Sequence, residues 1–69
     1  MREPQVGDRV EWGNGPRRVR GTVAKVNVVD QVSIVWDGER RGSSYPLGYV
    51  GRVIEFLPVL DVLAEVRPR

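Results

Sequence analysis

Four short segments of alternating apolar and polar residues, separated by glycine-containing turns, constrain this chain more than any other feature of its sequence. They cover residues 7–12, 21–26, 32–38 and 43–47. Alternation with period two is typical of strands that bury one face, because successive side chains of a strand point to opposite sides. A chain of 69 residues has room for one domain with a small core. The segments therefore predict a single all-β domain.

The second segment changes its apolar face partway along. Val19 and Val23 share one parity in the sequence. The other parity takes over at Ala24 and continues with Val26. A switch by one residue is what a β-bulge or a sharp bend produces. We therefore expect a long second strand, over about 19–29, with a bulge or a sharp bend near its middle.

Two further elements are expected after the fourth segment. Residues 52–57 form a candidate fifth strand, with Val53 and Phe56 pointing inward. Beyond Pro58, which suits the first turn of a helix, apolar residues recur at helical spacing. These residues are Val59, Val62, Leu63 and Val66. The chain thus divides into a leader at 1–6, a β-domain at 7–57 and a C-terminal helix or extended tail at 58–69.

A helix this short is unstable alone in water and has to dock on something. Docking on the open end of its own domain is the favoured interpretation of the apolar stripe at Val59, Val62, Leu63 and Val66. The alternative is that the stripe binds a partner protein or a second copy of the chain.

The composition narrows the function classes. The net charge is only +2, but ten of the eleven basic residues are arginine, which suits phosphate forks better than lysine does. Cysteine and histidine are absent, so no disulfide, thiolate metal site or nucleophile–base pair can be assembled. We expect a non-enzymatic protein without metal or cofactor.

The sequence has no apolar run of about 20 residues that could span a membrane, and no apolar core of a signal peptide. These observations predict a soluble, cytoplasmic protein without a membrane partner. A bacterial or phage origin fits the composition.

The order of the motifs resembles that of a known fold family. Gly-Asp-Arg-Val at 7–10, Gly-Thr-Val at 21–23 and Val-Ser-Ile-Val-Trp-Asp-Gly at 32–38 are similar to the successive strands of SH3-like barrels of the KOW and Tudor-like type. The similarity covers 6–57 and implies a five-stranded SH3-like barrel with a short C-terminal helix. This barrel occurs in ribosomal proteins, transcription elongation factors, chromatin readers, enzyme subunits and peptide binders, so the resemblance specifies the fold better than the function.

A more distant resemblance is to the plasmid-type, trimethoprim-insensitive dihydrofolate reductase, a tetramer of SH3-like barrels. Its active pore is lined by a Val-Gln-Ile-Tyr-Pro segment, where this chain has Gly-Ser-Ser-Tyr-Pro at 42–46. The glutamine and isoleucine that contact the ligands are therefore absent. Glu11 and Trp12 also stand where a lysine is expected after the first strand. An oligomeric enzyme of this type is accordingly the third choice of function.

Two arginine-bearing loops are the candidate nucleic-acid-binding site. One follows the glycine-rich turn at 13–16 and the other lies at 37–42. The candidate residues are Arg17, Arg18, Arg20, Arg40 and Arg41. Two such loops on one side of a barrel could grip a phosphate backbone. The alternative is that these charges only keep exposed loops soluble, and Glu39 weakens the local positive field.

The aromatic residues are divided between core and surface. Trp12 and Trp36 are in phase with inward valines and are predicted to fill the core. Tyr45 and Tyr49 are the candidates for stacking on bases or for contacting a peptide; a cage for a methylated cation is a further alternative. The Asp37-Gly38 pair is predicted to be a tight turn rather than a catalytic carboxylate.

The favoured function is a small module that binds nucleic acid, or a protein of a nucleic-acid machine, through its arginine loops. The competing class is a protein-interaction module that uses an aromatic groove or the C-terminal stripe.

Overall fold

The computed structural model describes residues 3–13, 15–27, 29 and 31–65. Within these ranges the chain forms five β-strands and one α-helix. They are β1 (Arg9–Trp12), β2 (Val19–Asn27), β3 (Gln31–Trp36), β4 (Ser43–Pro46), β5 (Glu55–Phe56) and α1 (Val59–Glu65). Short 3-10 turns, at Gly15–Arg17 and Leu47–Tyr49, precede β2 and follow β4.

The strands form one antiparallel sheet in the order β4-β3-β2-β1-β5. The predicted β-rich fold with a short C-terminal helix is therefore confirmed. β4 and β5 are the outer strands, and the pairings between described residues do not close the sheet into a barrel.

The β-bulge expected in the second strand is present. Val23 of β2 pairs with Ile34 of β3, whereas the next pair joins Lys25 to Ser33, so Ala24 is the extra residue. The bulge lies at the position where the apolar parity of the sequence switches. As a result Val23, before the bulge, and Val26, after it, both reach the core.

The core lies on one face of the sheet. Its buried members are Val10, Val23, Val32, Ile34, Trp36, Val50 and Ile54. This arrangement confirms the inward faces predicted for the first and third strands, and Trp36 is a core residue as expected. Trp12 is half-buried and packs against the edge of this cluster.

The expected inward position of Val53 is wrong. Val53 is exposed, whereas Ile54 is fully buried and Phe56 packs against the core as predicted. The cause is a tight turn before β5, in which the amides of Val53 and Ile54 both donate to the carbonyl of Tyr49. Because of this turn, Ile54 and Phe56 face the core in place of Val53.

The apolar stripe of α1 does not close the end of its own domain. No residue of α1 is buried; Val59, Leu60 and Leu63 are 73%, 78% and 61% exposed, and Val62 is half-buried. Val66 lies outside the described residues. The helix is instead attached to the sheet through a carboxylate in its last turn, so the predicted self-docking by the stripe is not met. No helix in the described ranges is long and apolar enough to cross a membrane.

Candidate functional site

The two arginine loops lie at the same end of the sheet. Trp12, at the end of β1, pairs with Val19 at the start of β2. Gly21 of β2 pairs with Trp36 at the end of β3. The turn between β1 and β2 and the turn that follows β3 are therefore neighbours in space.

A groove of about 440 Å³ separates these two loops, and we call it the loop groove. Its lining residues are Trp12, Arg18, Val19, Arg20, Trp36, Asp37 and Glu39. The two indoles and one valine supply an apolar surface, and charged side chains of both signs form the rest. A ligand in the loop groove would contact aromatic rings and charged side chains together.

Four aromatic rings meet beside the loop groove. The rings of Trp12 and Trp36 lie 6.0 Å apart, and Tyr45 packs edge-on against them at 5.5 and 6.0 Å. Tyr49 stacks on Tyr45 at 6.3 Å. Edge-to-face and offset arrangements at these separations are the favourable ones for aromatic pairs. The four rings therefore form one cluster, which joins the predicted core residues to the predicted surface residues.

The two tyrosines have different exposure. The Trp36 indole Nε1 donates a hydrogen bond of 2.9 Å to the Tyr45 hydroxyl, which ties Tyr45 to the core. Tyr45 is half-buried, whereas Tyr49 is 39% exposed. Of the two stacking candidates, Tyr49 is the ring that presents more of its surface to solvent.

The five candidate arginines fall into two groups. Arg18 and Arg20 both form ion pairs with Glu11 of β1, at 3.2 and 3.0 Å. The side chains of the exposed residues Arg17, Arg40 and Arg41 make no hydrogen bond or ion pair within the described part of the chain. The charges of this second group are therefore the more available for a ligand.

A charge cluster centred on Arg9 occupies the outer face of the sheet. Arg9 forks onto Asp37 through Nη1 and Nη2 at 2.8 and 2.7 Å. It also forks onto Glu65 of α1 through Nε and Nη2 at 3.0 and 2.6 Å. A further bond from Nη1 reaches the Thr22 hydroxyl at 2.9 Å. Although it is charged, the Arg9 side chain is only 17% exposed.

These contacts shift the pKa values of their members in the directions that ion pairing requires. Hydrogen bonding from Arg9 lowers the pKa of Asp37 and of Glu65 below their usual range. Hydrogen bonding to Asp37 and then to Glu65 raises the pKa of Arg9. Hydrogen bonding to Glu11 likewise raises the pKa of Arg20. Arg9, Arg20, Asp37 and Glu65 are therefore charged at neutral pH.

Sequence reasoning missed Arg9, Glu11 and Glu65 as members of a functional or structural cluster. The alternation in β1 does place Arg9 and Glu11 on the outer face, and this was the available signal. Glu65 is 56 residues from Arg9 in the sequence, and nothing in the local pattern links the two.

The described residues contain no group of three or more acidic side chains positioned to hold a metal ion. Comparisons of the chain with protein-family models, with curated proteins and with solved structures found no match.

Proposed function

We propose that this chain is a non-enzymatic, cytoplasmic binding module with an SH3-like-barrel architecture, and that it binds nucleic acid at the loop groove. The observation that carries the proposal is the meeting of both arginine loops, with Trp12 and Trp36 between them, at one end of the sheet. Cationic side chains beside aromatic rings are the combination that binds a nucleic-acid strand without sequence preference.

The proposed mechanism assigns different tasks to different side chains. Arg17, Arg40 and Arg41 neutralise phosphates and release their counterions. Tyr49, which is backed by Tyr45, offers a ring on which a base can stack. Glu39 lines the groove and repels the phosphate, so binding is weak. Because binding rests on phosphate contacts, it depends steeply on salt.

The test is the salt dependence of binding. Fluorescence anisotropy of short labelled single strands and duplexes is measured between about 50 and 200 mM salt. Replacing Arg17, Arg40 and Arg41 together by glutamine removes three phosphate contacts. The slope of log affinity against log salt then falls by about 2 units on single strands, at roughly 0.7 per phosphate.

Lys25→Gln is the matched control, because Lys25 is an exposed cation of β2 on the far side of the bulge from the loops. The slope of this variant should equal that of the parent. If the parent chain binds neither strands nor duplexes at about 50 mM salt, the proposal is wrong.

A second function, the binding of a partner protein, is favoured by the exposure of α1. Leu60 and Leu63 present apolar side chains to solvent on a helix that buries no residue. In this case the double variant Leu60→Ser, Leu63→Ser abolishes association with the partner or with a second copy, as measured by light scattering, and leaves the melting temperature unchanged. A chain that is monomeric at all concentrations and retains full nucleic-acid binding in this variant contradicts the second function.

A further inference from the structure

The carboxylate of Glu65 occupies a position that two guanidinium groups share. Oε1 accepts from Nε of Arg9 at 3.0 Å, and Oε2 accepts from Nη2 of Arg9 at 2.6 Å. Nη1 of Arg20 lies 3.6 Å from the same Oε2. A parallel fork from arginine matches carboxylate and phosphate oxygens equally well. The place that Glu65 fills therefore has the donor geometry of a phosphate site.

The two arginines do not depend on Glu65 for their orientation. Asp37 and Thr22 hold Arg9 through Nη1 and Nη2. Glu11 holds Arg20 through Nε. If Glu65 leaves, the guanidinium groups stay in place and direct Nε and Nη2 of Arg9 and Nη1 of Arg20 towards one vacant position.

The charge of the cluster also favours an anion at that position. Three arginines and three carboxylates balance while Glu65 is present. These residues are Arg9, Arg18, Arg20, Glu11, Asp37 and Glu65. Without Glu65 the ion-paired residues carry one positive charge in excess, in a region where Arg9 is largely shielded from water. Asp61 of α1 attracts Arg20 without an ion pair and offsets only part of this charge.

Among the described residues, few other contacts hold α1 against the sheet. The helix buries no residue, and a space of about 220 Å³ remains between its side chains Val59, Val62 and Leu63 and the start of β1. Ion pairs at partly exposed positions add little net stability, because solvation and side-chain entropy offset the attraction. A competing anion can therefore displace Glu65 without unfolding the domain.

We propose that Arg9 and Arg20 form a latent phosphate site, which Glu65 occupies in the free protein, and that a phosphodiester group of a bound nucleic acid displaces it. This inference rests on the proposed function and adds a regulatory element to it. Arg20 and Asp37 belong both to this cluster and to the lining of the loop groove, so the latent site continues the groove. α1 is then an intramolecular inhibitor of binding.

The test compares Glu65→Gln with Glu3→Gln. Both variants lose one negative charge, but Glu3 is exposed and lies beside Val26 and Leu47, at the opposite end of the sheet from the loops. Glu65→Gln should bind single strands severalfold more tightly than the parent. Its salt slope should rise by about 0.7 units, the value for one additional phosphate contact. The affinity and the salt slope of Glu3→Gln should equal those of the parent, apart from the small gain in affinity that the loss of any negative charge produces.

A second measurement does not require nucleic acid. Inorganic phosphate is titrated into each protein while the arginine Nε–H resonances are followed by NMR. In Glu65→Gln the resonances of Arg9 and Arg20 should shift at a severalfold lower phosphate concentration than in the parent and in Glu3→Gln.

The outcomes separate the two proposals. If Glu65→Gln gains phosphate binding at Arg9 and Arg20 but no variant binds oligonucleotides, the latent anion site is supported and the proposed function is overturned. If the parent and Glu65→Gln bind oligonucleotides equally and neither resonance responds differently to phosphate, the latent site is overturned and the proposed function stands.

Discussion

The contact between Gly21 and Trp36 allows a stability prediction to be worked out from the structure. Gly21 of β2 faces the indole of Trp36 across the strand pair, on the buried side of the sheet. A Cβ atom at position 21 would lie 2.7 Å from Cε3 of Trp36, 2.9 Å from Cγ2 of Ile34 and 2.9 Å from the backbone oxygen of Val35. Two of these neighbours are a rigid ring and the main chain, so they cannot move aside without disturbing the core.

The expected cost of Gly21→Ala follows from this overlap. Adding a methyl group to a filled core costs about 1–3 kcal/mol, because side chains leave their rotamers or the backbone shifts. Three overlaps under 3.0 Å place this site at the upper end of the range, about 3 kcal/mol. The higher β-propensity of alanine and the lower entropy of its unfolded chain recover about 0.5–1 kcal/mol, so we expect a net loss of about 2 kcal/mol. In a domain of this size each kcal/mol moves the melting temperature by roughly 4–8 °C, which predicts a fall of roughly 8–16 °C.

The assay is urea and thermal unfolding followed by circular dichroism, with Gly48→Ala as the control. No atom lies within 4 Å of a Cβ built at Gly48, and its φ is outside the positive range, so this variant should be as stable as the parent or slightly more stable. In a Trp36→Leu background the cost of Gly21→Ala should shrink, because the ring that it meets is gone. If Gly21→Ala unfolds at the same temperature as the parent, the close approach between β2 and the indole does not exist.

Other predictions follow from the aromatic and charge clusters. Trp36→Ala should cost roughly 3–5 kcal/mol and unfold most of the population; a variant with the parent's melting temperature would place Trp36 outside the core. Tyr45→Phe leaves the partly buried indole N–H of Trp36 without its acceptor and should cost about 1 kcal/mol by urea unfolding, with no loss of secondary structure. Because pairing with Arg9 lowers the folded-state pKa of Asp37 and Glu65, their stabilisation is present above the ordinary carboxyl pKa of about 4 and is lost as pH falls through the lowered values. Melting temperature against pH should therefore decline more steeply below about pH 4 in the parent than in Asp37→Asn, and parallel curves would contradict the pairing.

The strand pattern could be predicted because it depends on local spacing. The parity of Val10, Val32 and Ile34 indicated which faces are buried, and the switch of parity after Val23 indicated an irregularity near the middle of β2, where the bulge lies. The β1–β2 and β3–β4 turns were also visible, and once the strands pair in sequence order they place both arginine loops at one end.

The partners of the charged residues could not be predicted in the same way. Whether Arg18 and Arg20 are free depends on Glu11, which comes beside them only through the register of β1 against β2. Glu65 meets Arg9 only because α1 returns over the outer face of the sheet. The error at Val53 has a related cause, since a turn set by backbone hydrogen bonds, rather than by side-chain alternation, decides the phase of β5.

The two outer strands of the sheet have a consequence for how this protein behaves at high concentration. Unpaired edges are templates on which a strand from another molecule can add, and this is a common first step in aggregation. Here β5 is only two residues long, and β4 has four residues that end in Pro46, which has no N–H to donate to an incoming strand. Neither strand contains a buried residue. The two edge strands contribute least to the core, and they limit the addition of further strands from other molecules. Lengthening either edge strand would remove this protection against aggregation without changing the core.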